Sequence, residues 1–141
     1  MKFSVTQADL LKGLTLSNKS LLSKANLPIL SNVLISAEKN KVEIVTTNLE
    51  TATRVSIAAE VEKDGKTTLL GRTIGEFVQQ LEGGNRLIFE KLGEEAVVMY
   101  GGYSARFVTM DAAEFPAIPK IITGLMVKLK SIYFLEGILK V

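Results

Sequence analysis

Residues 2–14, KFSVTQADLLKGL, join a short strand directly to a helix. Lys2–Thr6 is predicted to be the strand. Thr6 and Asp9 form a Thr-x-x-Asp helix start, in which the Thr6 hydroxyl can accept an otherwise unpaired backbone N–H. The apolar residues that follow recur at helical spacing and predict a helix over about residues 7–18. They are Leu10, Leu11 and Leu14.

Three segments of alternating side chains follow a polar loop at residues 18–28. A period of two residues is the signature of a strand with one buried face. The three predicted strands lie at residues 29–37, 42–46 and 53–59. Asn40 stands between the first two, and asparagine tolerates the left-handed backbone that tight hairpins need.

The same order of elements then begins again. A strand is predicted at Thr67–Leu70, and Thr73 with Glu76 predicts a capping box at the start of a second helix. The apolar stripe of that helix is formed by Ile74, Phe77, Val78 and Leu81, and Gly83 is predicted to end it. Three more strands are predicted at Arg86–Lys91, Glu95–Tyr100 and Ser104–Val108.

The chain therefore repeats one plan, a strand, a helix and three strands. Each half has a helix with one apolar stripe and a sheet with one apolar face, so neither half closes a core alone. Two halves related by a rotation can bury their helices against each other and against the sheets. We expect an α+β domain with both helices on one side and antiparallel sheets on the other.

The composition argues against an enzyme. The chain of 141 residues contains no cysteine and no histidine, so disulfides, thiolate metal sites and histidine-based catalysis are unavailable. This composition suits a reducing cytosol. Glu60, Glu62 and Asp64 lack the spacing of a calcium loop and are predicted to lie in a solvated loop. We expect no catalytic residue, metal or cofactor; a carboxylate-based hydrolase stays an alternative only if these acids converge on a metal.

The net charge of +2 does not lie in the predicted domain, because residues 1–120 contain 14 basic and 14 acidic residues. A few cations lie on or near the predicted helices, at Lys12, Lys19, Lys24 and Arg72. Such a set gives weak, salt-sensitive and sequence-independent binding to phosphates. On the residues alone, solvated surface lysines are the more ordinary interpretation.

Three short segments, behind the strand Met1–Phe3, add a resemblance. They are Leu27–Leu34 (LPILSNVL), Thr47–Glu50 (TNLE) and Asp111–Pro116 (DAAEFP). In this order they resemble the first domain of the bacterial sliding clamp family, the β subunit of DNA polymerase III. The resemblance covers residues 1–120, which we take as one domain.

The resemblance implies a function and a set of contact residues. It implies a non-catalytic, cytoplasmic processivity clamp that encircles duplex DNA and tethers the replicative polymerase, with DNA polymerase III subunits and the clamp loader as partners. By position it implies DNA contacts at Lys24 and Arg72, and secondarily at Lys12 and Lys19. It also implies a subunit interface at the last strand of the domain, formed by Phe107 and Val108, although a core position is an equal alternative for Phe107.

Two other interpretations stay open at this point. One is a stand-alone protein-interaction module that does not bind DNA, and the other is a truncated fragment without function.

The segment 121–141 departs from the resemblance. It is apolar but is interrupted by Lys128, Lys130 and Glu136, so we do not expect a membrane anchor. It fits a truncated or divergent start of a second domain. Its apolar side chains predict pairing with a strand edge, folding back onto the sheet, or self-association.

Overall fold

The computed structural model describes residues 1–21, 27–119 and 124–140. In chain order the elements are β1 (Lys2–Thr6), α1 (Gln7–Ser17), β2 (Asn32–Glu38), β3 (Lys41–Thr47), β4 (Ala52–Ala58), β5 (Glu60–Lys63), β6 (Gly65–Leu70), α2 (Gly71–Gln80), β7 (Arg86–Leu92), β8 (Glu95–Tyr100), β9 (Tyr103–Met110) and α3 (Ser131–Leu139). Short 3₁₀ turns lie at Asn18–Ser20, Pro28–Ser31 and Ala112–Glu114. The α+β prediction is confirmed.

The two halves exchange their first strands. The nine strands are ordered β4-β3-β2-β6-β9-β8-β7-β1-β5, and every pair is antiparallel. Thus β1 of the first half pairs with β7 of the second, while β6 of the second half pairs with β2 of the first. Each half completes the sheet of the other, so the halves cannot separate without breaking both sheets.

The two helices of the repeat lie side by side and run antiparallel. Near the start of α1, the Gln7 side-chain nitrogen donates to the carbonyl of Val78 at 2.9 Å. At the other end, the Asn18 side chain donates to the carbonyl of Gly71, where α2 begins, at 3.1 Å. The predicted cap of α1 is confirmed, because the Thr6 hydroxyl accepts from the Asp9 N–H at 3.1 Å.

The main core lies between this helical layer and one face of the sheet. Leu10 and Leu14 of α1 and Ile74 and Val78 of α2 are fully buried, as their predicted stripes require. The sheet contributes Phe3, Val5, Val33, Ile35, Val42, Ile44, Leu69, Leu87, Phe89 and Val98, among others. The rings of Phe3 and Phe89, one from each half, stack with centroids 4.9 Å apart.

A smaller cluster covers part of the opposite face of the sheet. It contains Ile29, Leu30, Val45 and Phe115, with Leu34, Met110 and Ile118 packed against it. The alternation of β2 and β3 explains this, because Leu34 and Val45 point away from the main core. The LPIL and EFP segments therefore contribute packing rather than chemistry.

Three details differ from the sequence-based expectations. Glu60–Lys63 forms β5, an edge strand paired with β1, and not a loop. No capping box forms on α2, because Leu70 precedes the helix without a side-chain cap and Glu76 instead pairs with Arg72. Residues 29–31 belong to a 3₁₀ turn, so β2 begins only at Asn32.

The turn prediction at Asn40 is confirmed, because its φ of 61° lies in the left-handed region.

None of the helices in the described ranges has the length and hydrophobicity needed to cross a bilayer. Residues 124–140 are exposed throughout. The predicted boundary at residues 120/121 lies outside the described residues.

Candidate nucleic-acid interface

The exposed side of the helical layer carries a groove between α1 and α2. Its volume is about 610 Å³, and its walls are mostly Leu11 and Thr15 of α1, Asn18 of the turn that follows it, and Arg72, Gly75, Glu76 and Gln79 of α2. The helices approach closely at their Asn18–Gly71 end, since a Cβ on Gly71 would lie 3.0 Å from the Asn18 side-chain oxygen. Asn18 therefore both lines the groove and joins the two helices.

The structure places three of the four predicted DNA-contacting residues on this layer. Lys12 is exposed on α1 and Lys19 is exposed in the turn that follows it. Arg72 lies in the first turn of α2 with 81% of its side chain exposed. Because Asn18 bonds to Gly71, Lys19 and Arg72 lie at the same end of the helix pair. Lys24 lies outside the described residues.

The charge of Arg72 is partly offset by a neighbour one turn along α2. Its Nε donates to an Oε of Glu76 at 2.8 Å, and this hydrogen bond raises the pKa of the Arg72 guanidinium above its ordinary value. Such an exposed pair adds little stability, but it lowers the positive charge available to a phosphate. The i,i+4 spacing of Arg72 and Glu76 is visible in the sequence, although the capping-box pattern there predicts a different role for Glu76.

Cations also lie on the opposite face of the sheet. Lys41, Arg54 and Lys66 line a pocket there together with Glu38, Glu43, Ala112 and residues 115–118. The positive charge of the domain is thus not confined to the helical layer. Composition alone could not separate the two faces, because that separation depends on strand register.

The predicted interface residues on β9 have opposite environments. Phe107 is 9% exposed, and its ring meets that of Phe77 edge-on at 5.5 Å. Phe107 is therefore a core residue, and its side chain is not exposed to anchor a neighbouring subunit. Val108, on the other face of the strand, is 78% exposed.

Two of the three acidic residues around β5, Glu60 and Glu62, form ion pairs. Glu62 pairs with Lys2 at 2.7 Å and Glu60 with Arg86 at 3.3 Å. Within the ranges that the structure describes, no group of three or more acidic side chains is arranged to hold a metal ion. The hydrolase alternative therefore lacks its required cluster.

The sequence and the fold match a known family. The family model described as "DNA polymerase III beta subunit, N-terminal domain" matches residues 1–119 of this chain. The beta sliding clamp of Micrococcus luteus is 30% identical over 121 residues, which are 86% of this chain and 39% of that protein. The beta sliding clamp of Synechococcus elongatus is 26% identical over 140 residues, covering 98% of this chain and 37% of the relative.

A solved structure agrees. The DNA polymerase sliding clamp of Caulobacter crescentus superposes with a TM-score of 0.83 at 26% identity, over 86% of this chain and 34% of that one. This chain spans less than two fifths of the length of these relatives. By the match over residues 1–119, the chain belongs to the DNA polymerase III beta subunit family and carries its N-terminal domain.

Proposed function

We propose that residues 1–119 act as the first domain of a non-catalytic clamp that encircles duplex DNA and tethers the replicative polymerase in the cytoplasm. The observation that carries this proposal is the antiparallel pair α1–α2, an exposed layer that bears Lys12, Lys19 and Arg72. In a ring of such domains this layer faces the DNA, while the sheet forms the outside.

The modest positive charge of the α1–α2 layer suits a clamp that must slide along DNA. Each phosphate contact lowers log K by about 0.9 per tenfold rise in salt, so raising salt from about 50 to about 200 mM weakens one contact about 3.5-fold. Three contacts weaken about 40-fold on the same change. The three described cations therefore give retention that is measurable at low salt and weak at physiological salt, without sequence preference.

Ring closure and partner recruitment belong to the same proposal. The relatives are more than twice the length of this chain, so a closed ring requires further domains or further copies. The DNA polymerase III subunits and the clamp loader are proposed partners of the assembled ring. Self-association of this domain is proposed to use a sheet edge that includes β9 and Val108.

The test is retention of the full chain on immobilised duplex DNA at low salt. Arg72→Glu and Lys12→Glu are expected to reduce retention and to lower the slope of log K against log salt by about one each. Lys66→Glu, a change of equal charge on the opposite face, is the control and is expected to have little effect. Equal losses in all three variants, or no retention at low salt, would instead favour the interaction module that does not bind DNA.

A further inference from the structure

The pocket on the outer face of the sheet has a volume of about 450 Å³, within the range of pockets that hold a small ligand or a few side chains. Side chains of β2, β3, β4 and β6 form its floor, and residues 115–118 form one wall. Leu34 and Ile118 line the pocket and are only partly buried. The pocket therefore offers both apolar and charged contacts.

The acidic side chains of this pocket are neutralised, whereas two of its cations are not. Glu38 and Glu43 each pair with a nearby lysine, at 3.4 and 3.0 Å. In the described part of the chain, Arg54 and Lys66 form no ion pair. Charge complementarity therefore favours an anionic occupant. The two acids disfavour a nucleic acid, whose closely spaced phosphates would lie beside them, so a peptide with a few separated carboxylates fits better.

The strand register separates the two unpaired cations by a distance that an extended peptide can span. Arg54 lies opposite Val45, and Lys66 lies opposite Ser36. Three steps of about 4.8 Å between neighbouring strands place β4 about 14 Å from β6. The cations are also offset by about 7 Å along the strands, which their long side chains can cover.

An extended peptide repeats its side chains with a matching spacing. Residues i and i+4 of such a peptide lie about 14 Å apart and point to the same face, with residue i+2 between them. Carboxylates at i and i+4 can therefore reach Arg54 and Lys66 together. Residue i+2 then lies over the middle of the pocket, where Leu34 is.

We propose that this pocket binds an acidic peptide segment of a partner protein, extended and with the pattern acid-x-apolar-x-acid. The two carboxylates pair with Arg54 and Lys66, and the apolar side chain contacts Leu34 and Ile118. The planar guanidinium of Arg54 can hold a carboxylate through two hydrogen bonds, whereas Lys66 supplies a point charge. The inference goes beyond the proposed function and does not depend on it, because the pocket lies on the face away from the α1–α2 layer.

The test is titration of the ¹⁵N-labelled full chain with the peptide GDALADG, acetylated and amidated so that its ends carry no charge. Backbone amide resonances of β2, β3, β4, β6 and residues 115–118 are expected to shift. Arg54→Gln and Lys66→Gln should each weaken binding about three- to fivefold. Arg106→Gln is the matched control, since it removes an exposed arginine of β9 that does not line the pocket, and it should leave binding unchanged.

A peptide of the same composition, GADLDAG, tests the spacing. Its acids flank the leucine directly and so point to the opposite face of an extended peptide; it should bind at least threefold more weakly. A charge exchange tests whether the cations act directly. The double variant Arg54→Glu with Lys66→Glu should lose GDALADG and gain binding of GKALAKG, which damage to the fold alone would not produce.

Three results would overturn the proposal. The first is no shift at millimolar GDALADG, and the second is equal binding of GDALADG and GADLDAG. The third is a short DNA duplex that shifts the same resonances more strongly than the peptide, because the pocket would then be a phosphate site.

Discussion

Removing one aromatic ring from β1 should destabilise both halves of the domain together. Phe3 belongs to the first half but stacks on Phe89 of the second, and both rings are fully buried. Phe3→Ala should lower the free energy of unfolding by about 3–5 kcal/mol, since it removes buried surface and leaves a cavity. With a denaturant dependence of about 2 kcal/mol per molar urea, the midpoint should fall by about 2 M.

The assay is urea unfolding of the wild type and the variant, followed by two signals. Far-ultraviolet circular dichroism reports on all strands, whereas tyrosine fluorescence, measured in a Tyr133→Phe background, reports on Tyr100 and Tyr103 of the second half. Both midpoints should move together, because β1 is hydrogen-bonded into the sheet of the second half. If Phe3→Ala loses so much stability that the variant does not fold, the milder variant Val5→Ala replaces it. It removes two buried methyl groups at about 0.8 kcal/mol each before any cavity cost.

Separate midpoints would show that the two halves unfold independently. A tyrosine midpoint that stays at the wild-type value while the circular dichroism midpoint falls would mean that the second half folds without β1. The exchange of first strands would then not couple the halves. Leu69→Ala in β6 is the converse variant, and it should likewise give coincident transitions.

Two further predictions concern the helical layer and the N-terminus. Glu76→Gln should strengthen low-salt DNA retention and steepen its salt dependence, because Arg72 loses the carboxylate that offsets its charge; unchanged retention would exclude Arg72 as a phosphate contact. Gly65→Ala should lower the unfolding free energy by about 1–3 kcal/mol in urea titrations, since the added Cβ would lie 2.8 Å from the Met1 Cβ. Gly83→Ala is its control, because a Cβ there meets nothing within 4 Å; equal losses in both variants would contradict the argument.

The local elements followed from the sequence because their signals are local. The stripe of Leu10 and Leu14 and the alternation around Val42 and Ile44 report a buried face directly, and these faces are buried as predicted. The duplicated order of strands and helices was sufficient to predict the α+β architecture.

The features that sequence reasoning missed depend on contacts between distant segments. The sequence of β5 predicts a polar loop, because an edge strand such as Glu60–Lys63 needs little apolar surface. Its pairing with β1 cannot be inferred from its own residues. The exchange of first strands is likewise hidden in the sequence. The three-strand groups of the two halves have similar composition, so the residues of β1 and β6 do not show which group each strand joins. The cap assigned to Thr73 failed because α2 begins directly after β6, at Gly71.

The candidate site was predicted only in outline. The helical positions of Lys12 and Arg72 followed from periodicity, whereas the burial of Phe107 required knowing that Phe77 covers it.

The central claim is that the α1–α2 layer, and not the outer face of the sheet, lies against duplex DNA. The absence of native cysteine allows one photoreactive label at a single introduced thiol, at Thr15→Cys in the helical groove or at Ser56→Cys on the outer face of β4. Crosslinks to duplex DNA are expected from position 15, and few are expected from position 56. Equal crosslinking from both positions, or more from position 56, would contradict it.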